Sequence, residues 1–290
     1  MPPRPFWGES LIAAGRFYRV GGWVHFLGLP LLGSYLAAGR LSASLAGSLA
    51  VSSFYLAFLY GINNVFDRQL DEPAGPAKNP LAGNNRPARV FLPAAIAPGA
   101  MAMVLSLFLR PPTGWLTCGG VLAGAAYSAP PLRLKTRPVV GFLSNGALFG
   151  VLFLIAWTAD GGGLWAGVGR ATPFCLLILL IEALHELEDV EPDRRAACAT
   201  LPVRCGVAST RRVAQGALLA FAASFAFLTV RHFFPRAALI SAALYFIAAW
   251  AIMSREWRRA SSRPRRLRLA LRYLTAAFGI ALWLTLYWSR

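Results

Sequence analysis

The chain has 290 residues, 57% hydrophobic and only 14% charged, with 29 Lys and Arg against 12 Asp and Glu for a formal net charge of +17. Ordinary soluble domains hold roughly 45–50% apolar and about 25% charged residues, so this composition excludes a soluble globule. High hydrophobicity also excludes disorder, and it excludes a nucleic-acid module, whose basic patch sits on a polar surface. A membrane protein with basic loops is the reading that remains.

Residues 1–10 carry Pro2, Pro3 and Pro5 and no basic-then-apolar signal sequence, so no cleaved targeting segment is expected, and residues 1–15 are read as a flexible lead-in. A membrane-spanning helix needs about 20 mostly apolar residues at about 1.5 Å rise each. Uncharged windows occur at 20–38, 41–62, 90–109, 111–132, 138–159, 213–230, 237–254 and 273–289. A ninth span begins at 171–181 and runs on into Glu182, Glu186, Glu188, Asp189, Glu191 and Asp193. The expectation is an all-α polytopic membrane protein with nine transmembrane helices, forming one domain over 1–290. The four cysteines, Cys118, Cys175, Cys198 and Cys205, form no C-x-x-C and lie in or beside apolar stretches, so neither a zinc site nor a disulfide framework is indicated.

Charge orients the chain. If the N-terminus is cytoplasmic, 23 of the 29 basic residues fall on that face, and only Arg40, Arg110, Arg170, Arg231, Arg236 and Arg290 fall on the other. The positive-inside rule then puts the N-terminus in the cytoplasm, and the expected setting is a bacterial inner or cell membrane. The basic run 255–272 is read as a topology determinant in contact with anionic lipid.

The acids are more specific. Nine of the twelve fall in two stretches, Asp67, Asp71 and Glu72, and then Glu182 to Asp193, each following the cytoplasmic end of a span. Asn63, Asp67 and Asp71 are spaced i, i+4, i+8, which puts them on one helix face; Glu182, Glu186, Asp189 and Asp193 are spaced i, i+4, i+7, i+11, the interval of a helical stripe. Such stripes of oxygen ligands repel themselves unless something positive lies between them, and Mg²⁺ binds through one or two carboxylates with water and phosphate oxygens. The plainer alternative is solvated helix ends neutralised by Arg68, Arg194 and Arg195. Between the stripes runs Tyr127-Ser128-Ala129-Pro130-Pro131-Leu132-Arg133-Leu134-Lys135, where the double proline ends a helix and leaves Arg133 and Lys135 near the acids. With Lys78 and Arg194 these would hold phosphate oxygens, Arg by a planar fork and Lys as a point charge.

Asn63-x3-Asp67-x3-Asp71, the Tyr127 to Lys135 segment, and Glu186-x2-Asp189-x3-Asp193-Arg194 followed by Thr200-Leu201-Pro202-Val203 and Gly206 together resemble the signature of the UbiA superfamily of intramembrane prenyltransferases, from about residue 16 to the C-terminus. The resemblance implies a helical bundle around a central cavity with a cytoplasmic cap, where two Mg²⁺ ions bind the diphosphate of a prenyl donor. It implies Asn63, Asp67, Asp71, Glu186, Asp189 and Asp193 as metal ligands. Lys78, Arg133, Lys135, Arg194 and, more weakly, Arg19 become diphosphate contacts, and Tyr127 an active-site tyrosine. Asn64 and Glu186 stand where the family often has aspartate, and His185 where arginine is common; His185 is read as a helix-end polar residue. Aromatic faces to stabilise a carbocation would come from among Phe54, Tyr55, Phe58, Tyr60, Phe149, Phe153 and Trp157, none singled out.

The implied activity is Mg²⁺-dependent transfer of a prenyl group to a lipophilic acceptor: aromatic, quinone-precursor or carotenoid-like. Lys78-Asn79-Pro80-Leu81 and Arg133-Leu134-Lys135-Thr136-Arg137-Pro138 lean toward the carotenoid-like branch. The partners are the donor, the acceptor and membrane lipid, with no nucleic acid and an open oligomeric state. Two alternatives stand beside it, a terpene cyclase on the same scaffold, needing no acceptor, and an ion transporter. The transporter wants carboxylates near mid-membrane, whereas all but Glu182 lie at span ends.

Overall fold

A computed structural model describes residues 6–72, 75–76, 78–195, 198–259 and 264–289. The proline-rich start and Arg263 of the basic run lie outside them. The described residues are helical with no strand, and they pack as two compact units, Met1–Arg133 with Val151–Gly163, and Leu134–Gly150 with Leu164–Arg290.

The first unit contains α1 (Phe6–Phe17), α2 (Val20–Trp23), α3 (Gly28–Ala38), α4 (Leu45–Phe66), α5 (Leu92–Ser106), α6 (Pro111–Ser128) and the C-terminal part of α7 (Pro138–Ala159). The span expected at 20–38 is broken between α2 and α3 by a tight turn at Val24–Leu27. Pro30 accounts for this: a continuous helix would drive its ring into the carbonyl of Phe26. Helix α6 starts on Pro111, after an extended Arg110, and stops at Ser128, with Ala129 extended at φ −94° and ψ 146° ahead of Pro130. The double proline thus ends the helix as expected.

Small residues set the helix spacing. A Cβ on Gly99 of α5 would lie 2.7 Å from Phe58 of α4, and one on Gly33 of α3 would run into the Phe153 carbonyl of α7. Without hydrophobic drive between helices in lipid, such close approach is what membrane helices use to gain van der Waals contact.

The second unit holds the N-terminal part of α7, then α8 (Leu164–Glu188), α9 (Val190–Arg195), α10 (Leu201–Cys205), α11 (Val207–Val230), α12 (Arg236–Trp257) and α13 (Pro264–Trp288). Buried positions recur at helical intervals of three, four or seven residues: Ala238, Ala242, Tyr245, Ala249 and Met253 on α12, and Leu267, Leu271, Phe278, Leu282 and Leu286 on α13. The core is aromatic, with Phe225 stacked on Phe234 at 4.6 Å and Phe278 beside Tyr245 at 5.1 Å between ring centroids.

Among the described residues, seven segments suffice by length and composition to cross a membrane: Val20–Ala38, Leu45–Phe66, Pro138–Ala159, Leu164–Glu188, Val207–Val230, Arg236–Trp257 and Pro264–Trp288. Nine were expected. The windows at 90–109 and 111–132 fold as helices, but α5 has 15 residues, about 22 Å at 1.5 Å each, against a hydrocarbon core of about 30 Å. Helix α6 carries four glycines and two threonines in 18 residues, which lowers its apolarity. The last helix begins at Pro264, so Arg265, Arg266, Arg268 and Arg272 are helical.

One polar network ties the first unit together. Asp160, just after α7, accepts from Ser34 Oγ of α3 at 2.5 Å and from Ser44 Oγ, while Ser42 lies 3.1 Å from Ser34 and 3.0 Å from Ser44. Ser34 is fully buried. Hydrogen bonds to a charged acceptor contribute about 1.5–3 kcal/mol. Asp160→Ala is therefore expected to destabilise the detergent-solubilised protein by about 2–3 kcal/mol, and Asp160→Asn by less, as checked by thermal unfolding.

Candidate active site

Helix α4 formally ends at Phe66, yet the backbone bonds continue as i→i−4: Asp67 N–H to Asn63 O and Asp71 N–H to Asp67 O, both 2.8 Å. Asn63, Asp67 and Asp71 therefore keep one face through the turn. Asp67 and Asp71 are only 7% and 5% exposed, and a carboxylate so far from water needs compensation. Arg133 Nη2 lies 3.3 Å from Asp67 Oδ1 and 3.4 Å from the Phe66 carbonyl. Arg19 Nη2 and Lys78 Nζ each lie 3.5 Å from an oxygen of Asp71.

These pairs are longer than the 2.7–2.9 Å of a tight charge-assisted bond, and the backbone is bent to make them. Among the described residues, Arg19 (φ 50°), Arg133 (φ 38°) and His232 (φ 62°) are the non-glycine residues in the left-handed region. That conformation costs about 1–2 kcal/mol for an L-residue. Two of the three are the arginines that face the aspartates. The Arg19 turn is held by Trp23 Nε1 donating to Tyr18 O at 2.6 Å and by the Tyr18 hydroxyl donating to Ala94 O at 2.8 Å. Burial pushes the Tyr18 phenol above its ordinary range, which keeps it a donor. The Arg19 Nε and Nη2 atoms are buried and make no hydrogen bond.

Asn79, which the sequence places in Lys78-Asn79-Pro80-Leu81 without a site role, organises this cluster. Asn79 is fully buried, and its Nδ2 donates to Asp71 Oδ2 at 3.2 Å and to Asn64 O at 3.0 Å. Its Oδ1 accepts from Leu81 N–H at 3.0 Å across Pro80, an Asx turn. The Asn-Pro pair was the available signal. Asn64 donates Nδ2 to Phe17 O at 2.6 Å, a bond a carboxylate could not make. Ser128 Oγ reaches Asn63 Oδ1 at 3.3 Å, joining the end of α6 to the motif, and Tyr127 beside it is half-buried. Arg68 donates to the Arg86 carbonyl instead of neutralising the aspartates.

The remaining predicted residues belong to the second unit. At the junction of α8 and α9, Asp189 N–H bonds His185 O at 3.1 Å and Asp193 N–H bonds Asp189 O at 2.8 Å, so this stripe also survives a helix break. His185 lies 3.5 Å from Asp189 Oδ2 through Nε2 and 3.9 Å from Glu182 through Nδ1. The other acids are engaged elsewhere: Glu186 with Leu201 N–H at 3.0 Å, Glu188 with Arg268 at 2.7 Å, and Glu191 with Arg194 at 2.8 Å. Arg194, expected on a diphosphate, thus forms an exposed i, i+3 pair. Lys135 sits in a turn at Leu134–Thr136 packed against Gly141, where a Cβ would lie 2.8 Å from the Lys135 Cα.

The chain is an all-α integral membrane protein with a buried carboxylate–cation cluster past the end of α4. The family model for the UbiA prenyltransferase family matches residues 26–274, and the chain belongs to that family and is a prenyltransferase. It is 34% identical over 229 residues to the lycopene elongase/hydratase of Halobacterium salinarum, covering 72% of this chain and 77% of that protein. It is 28% identical over 218 residues to the digeranylgeranylglyceryl phosphate synthase of Haloquadratum walsbyi, covering 69% and 70%. In fold it is similar to a UbiA homolog from Archaeoglobus fulgidus bound to DMAPP and Mg²⁺, with a TM-score of 0.75 at 18% identity over 93% of this chain and 98% of that one.

Asn79→Ala removes the donor to Asp71 and leaves the Asn64 carbonyl unpaired. The expected result is a loss of about 10–100-fold in prenyltransfer, from about 1.5–3 kcal/mol of hydrogen bonding to a charged group. Initial rates at matched protein content, with thermal unfolding as the folding control, check it.

Proposed function

We propose that this chain transfers the prenyl group of a prenyl diphosphate to a lipophilic acceptor of the carotenoid type, with Mg²⁺ and release of diphosphate. The observation that carries the reading is the cluster around Asp67 and Asp71, where two buried carboxylates face three cations at 3.3–3.5 Å. The surplus of positive charge and the unbonded Arg19 nitrogens suit phosphate oxygens. The acceptor class draws on the relatives named lycopene elongase/hydratase.

The donor set fits Mg²⁺. Asn63, Asp67 and Asp71 in one motif, and Asp189 and Asp193 in the other, are hard oxygen ligands. Among the described residues no three His, Cys, Asp or Glu side chains converge into a cage. Mg²⁺ takes one or two carboxylates and fills its shell with phosphate and water. Mg²⁺ held by such oxygens would neutralise charge developing on the diphosphate as it leaves.

Arg19, Lys78 and Arg133 bind diphosphate oxygens, Arg by its fork, and stabilise the leaving group as its charge grows. The allylic C–O bond breaks with its electron pair going to diphosphate. A double bond of the acceptor captures the cation, a C–C bond forms, and the product cation loses a proton. Apolar helices keep water from the cation. The excess of basic residues beside both motifs supports a cytoplasmic site and N-terminus.

Membranes containing the protein, supplied with dimethylallyl diphosphate, lycopene and Mg²⁺, are expected to yield a carotenoid heavier by one or two prenyl-derived groups. A terpene formed with no acceptor added would replace this reading with a cyclase. Asp67→Ala and Asp189→Ala are each expected to lower turnover by about a hundredfold or more while the protein remains membrane-inserted; full activity in both would overturn the role of the motifs.

A further inference from the structure

Glu186 occupies the opening position of the second aspartate motif, yet its carboxylate is turned to a different task. Its Oε2 accepts from the backbone N–H of Leu201 at 3.0 Å. Leu201 is the first residue of α10, and the residue before it, Thr200, has the extended backbone of a cap (φ −74°, ψ 167°) but makes no side-chain cap bond. The Thr200 hydroxyl is itself buried without a hydrogen-bond partner. Pro202 follows and has no N–H to offer, so Leu201 presents one of the few free donors of that first turn. Leu201 and Pro202 are both buried, which makes an unmet N–H there costly.

We infer that Glu186 is a positioning residue, not a metal ligand: its carboxylate caps α10 and thereby ties α8 to α10 on either side of α9, the connection that carries Asp189 and Asp193. The connection has a second internal tie, Cys198 N–H to Asp193 O at 2.8 Å. With the i→i−4 bonds at Asp189 and Asp193, this fixes α9 between two anchored ends, α8 and α10. Closing such a connection costs chain entropy that the Glu186 bond helps to offset. The chemistry of the side chain fits the task. Glutamate is one methylene longer than aspartate, and the reach to Leu201 uses that length; an aspartate at 186 would retract the acceptor and leave the N–H unmet.

The two roles rank substitutions in opposite order. A cap needs an acceptor at glutamate's reach and not its charge, so Glu186→Gln preserves it and Glu186→Asp loses it. A metal ligand needs the anionic oxygen, so Glu186→Asp is the milder change and Glu186→Gln the severe one.

The test has two arms. Hydrogen–deuterium exchange of the 198–206 segment, in detergent with chelator, uses no metal and does not depend on the proposed activity. Glu186→Gln is expected to exchange like the unaltered protein, and Glu186→Asp and Glu186→Ala about five- to tenfold faster, the loss of about 1 kcal/mol. Any other pattern, whether protection kept in Glu186→Asp or lost in Glu186→Gln, overturns the inference. The second arm titrates Mg²⁺ against prenyltransfer and rests on the metal reading of Asp189 and Asp193. Glu186→Gln is expected to hold its half-saturating Mg²⁺ within about threefold, whereas a rise of tenfold or more, the scale of a disturbed metal site, would make Glu186 a ligand. Failure of the metal reading itself would show as Mg²⁺-independent turnover in the unaltered protein, with the exchange result unaffected.

Discussion

Two carboxylates at the end of a membrane-length helix, nearly shut off from water, are the constraint around which the first unit is arranged. Asp67 and Asp71 carry charge that burial penalises heavily unless it is paired and hydrogen-bonded. Arg133, Arg19 and Lys78 supply the pairing, and the backbone accepts left-handed strain at both arginines to bring them there. Strain of that kind persists only where surrounding structure over-determines it. Here the surroundings are specific: Trp23 and Tyr18 hold the Arg19 turn, Asn64 ties it to α4, and Asn79 bridges Asn64 and Asp71.

Another carboxylate of the same unit shows the contrast. Asp160 receives short hydroxyl bonds from Ser34 and Ser44, and its charge is settled by neutral donors that fit it closely. Asp67 and Asp71 are faced by full cations at looser distances, with guanidinium nitrogens of Arg19 left unbonded. A satisfied carboxylate holds helices together. A carboxylate with loosely held cations can exchange partners, and an incoming anion brings acceptors for the same arginines and lysine.

Much of this was legible in the sequence. The i, i+4, i+8 spacing of Asn63, Asp67 and Asp71 kept its face because hydrogen bonding continues past the end of α4, and the Pro130-Pro131 stop fell where α6 ends. Windows of uncharged residues pointed to nine spans, and all of them fold as helices; among the described residues seven of these are long and apolar enough to cross a membrane, while α5 has only 15 residues and α6 is rich in glycine. The partners of the acids were not legible. Spacing puts Glu186, Glu188 and Glu191 on a helical stretch but does not say that they reach Leu201, Arg268 and Arg194. Those partners lie on neighbouring elements or on the next turn, and only packing decides among them. Nor could composition separate buried Tyr55, Phe58, Phe153 and Trp157 from the exposed Phe54.

The central claim is that the cations now facing Asp67 and Asp71 are held for a diphosphate that arrives with Mg²⁺. Equilibrium binding of a non-reactive prenyl thiodiphosphate to the purified protein, measured across a Mg²⁺ series at constant ionic strength, tests it most directly. The account predicts affinity that rises with Mg²⁺ until the metal saturates, with Mg²⁺ binding tightened reciprocally by the analogue. Binding of the analogue that is equally tight with and without Mg²⁺ would contradict it.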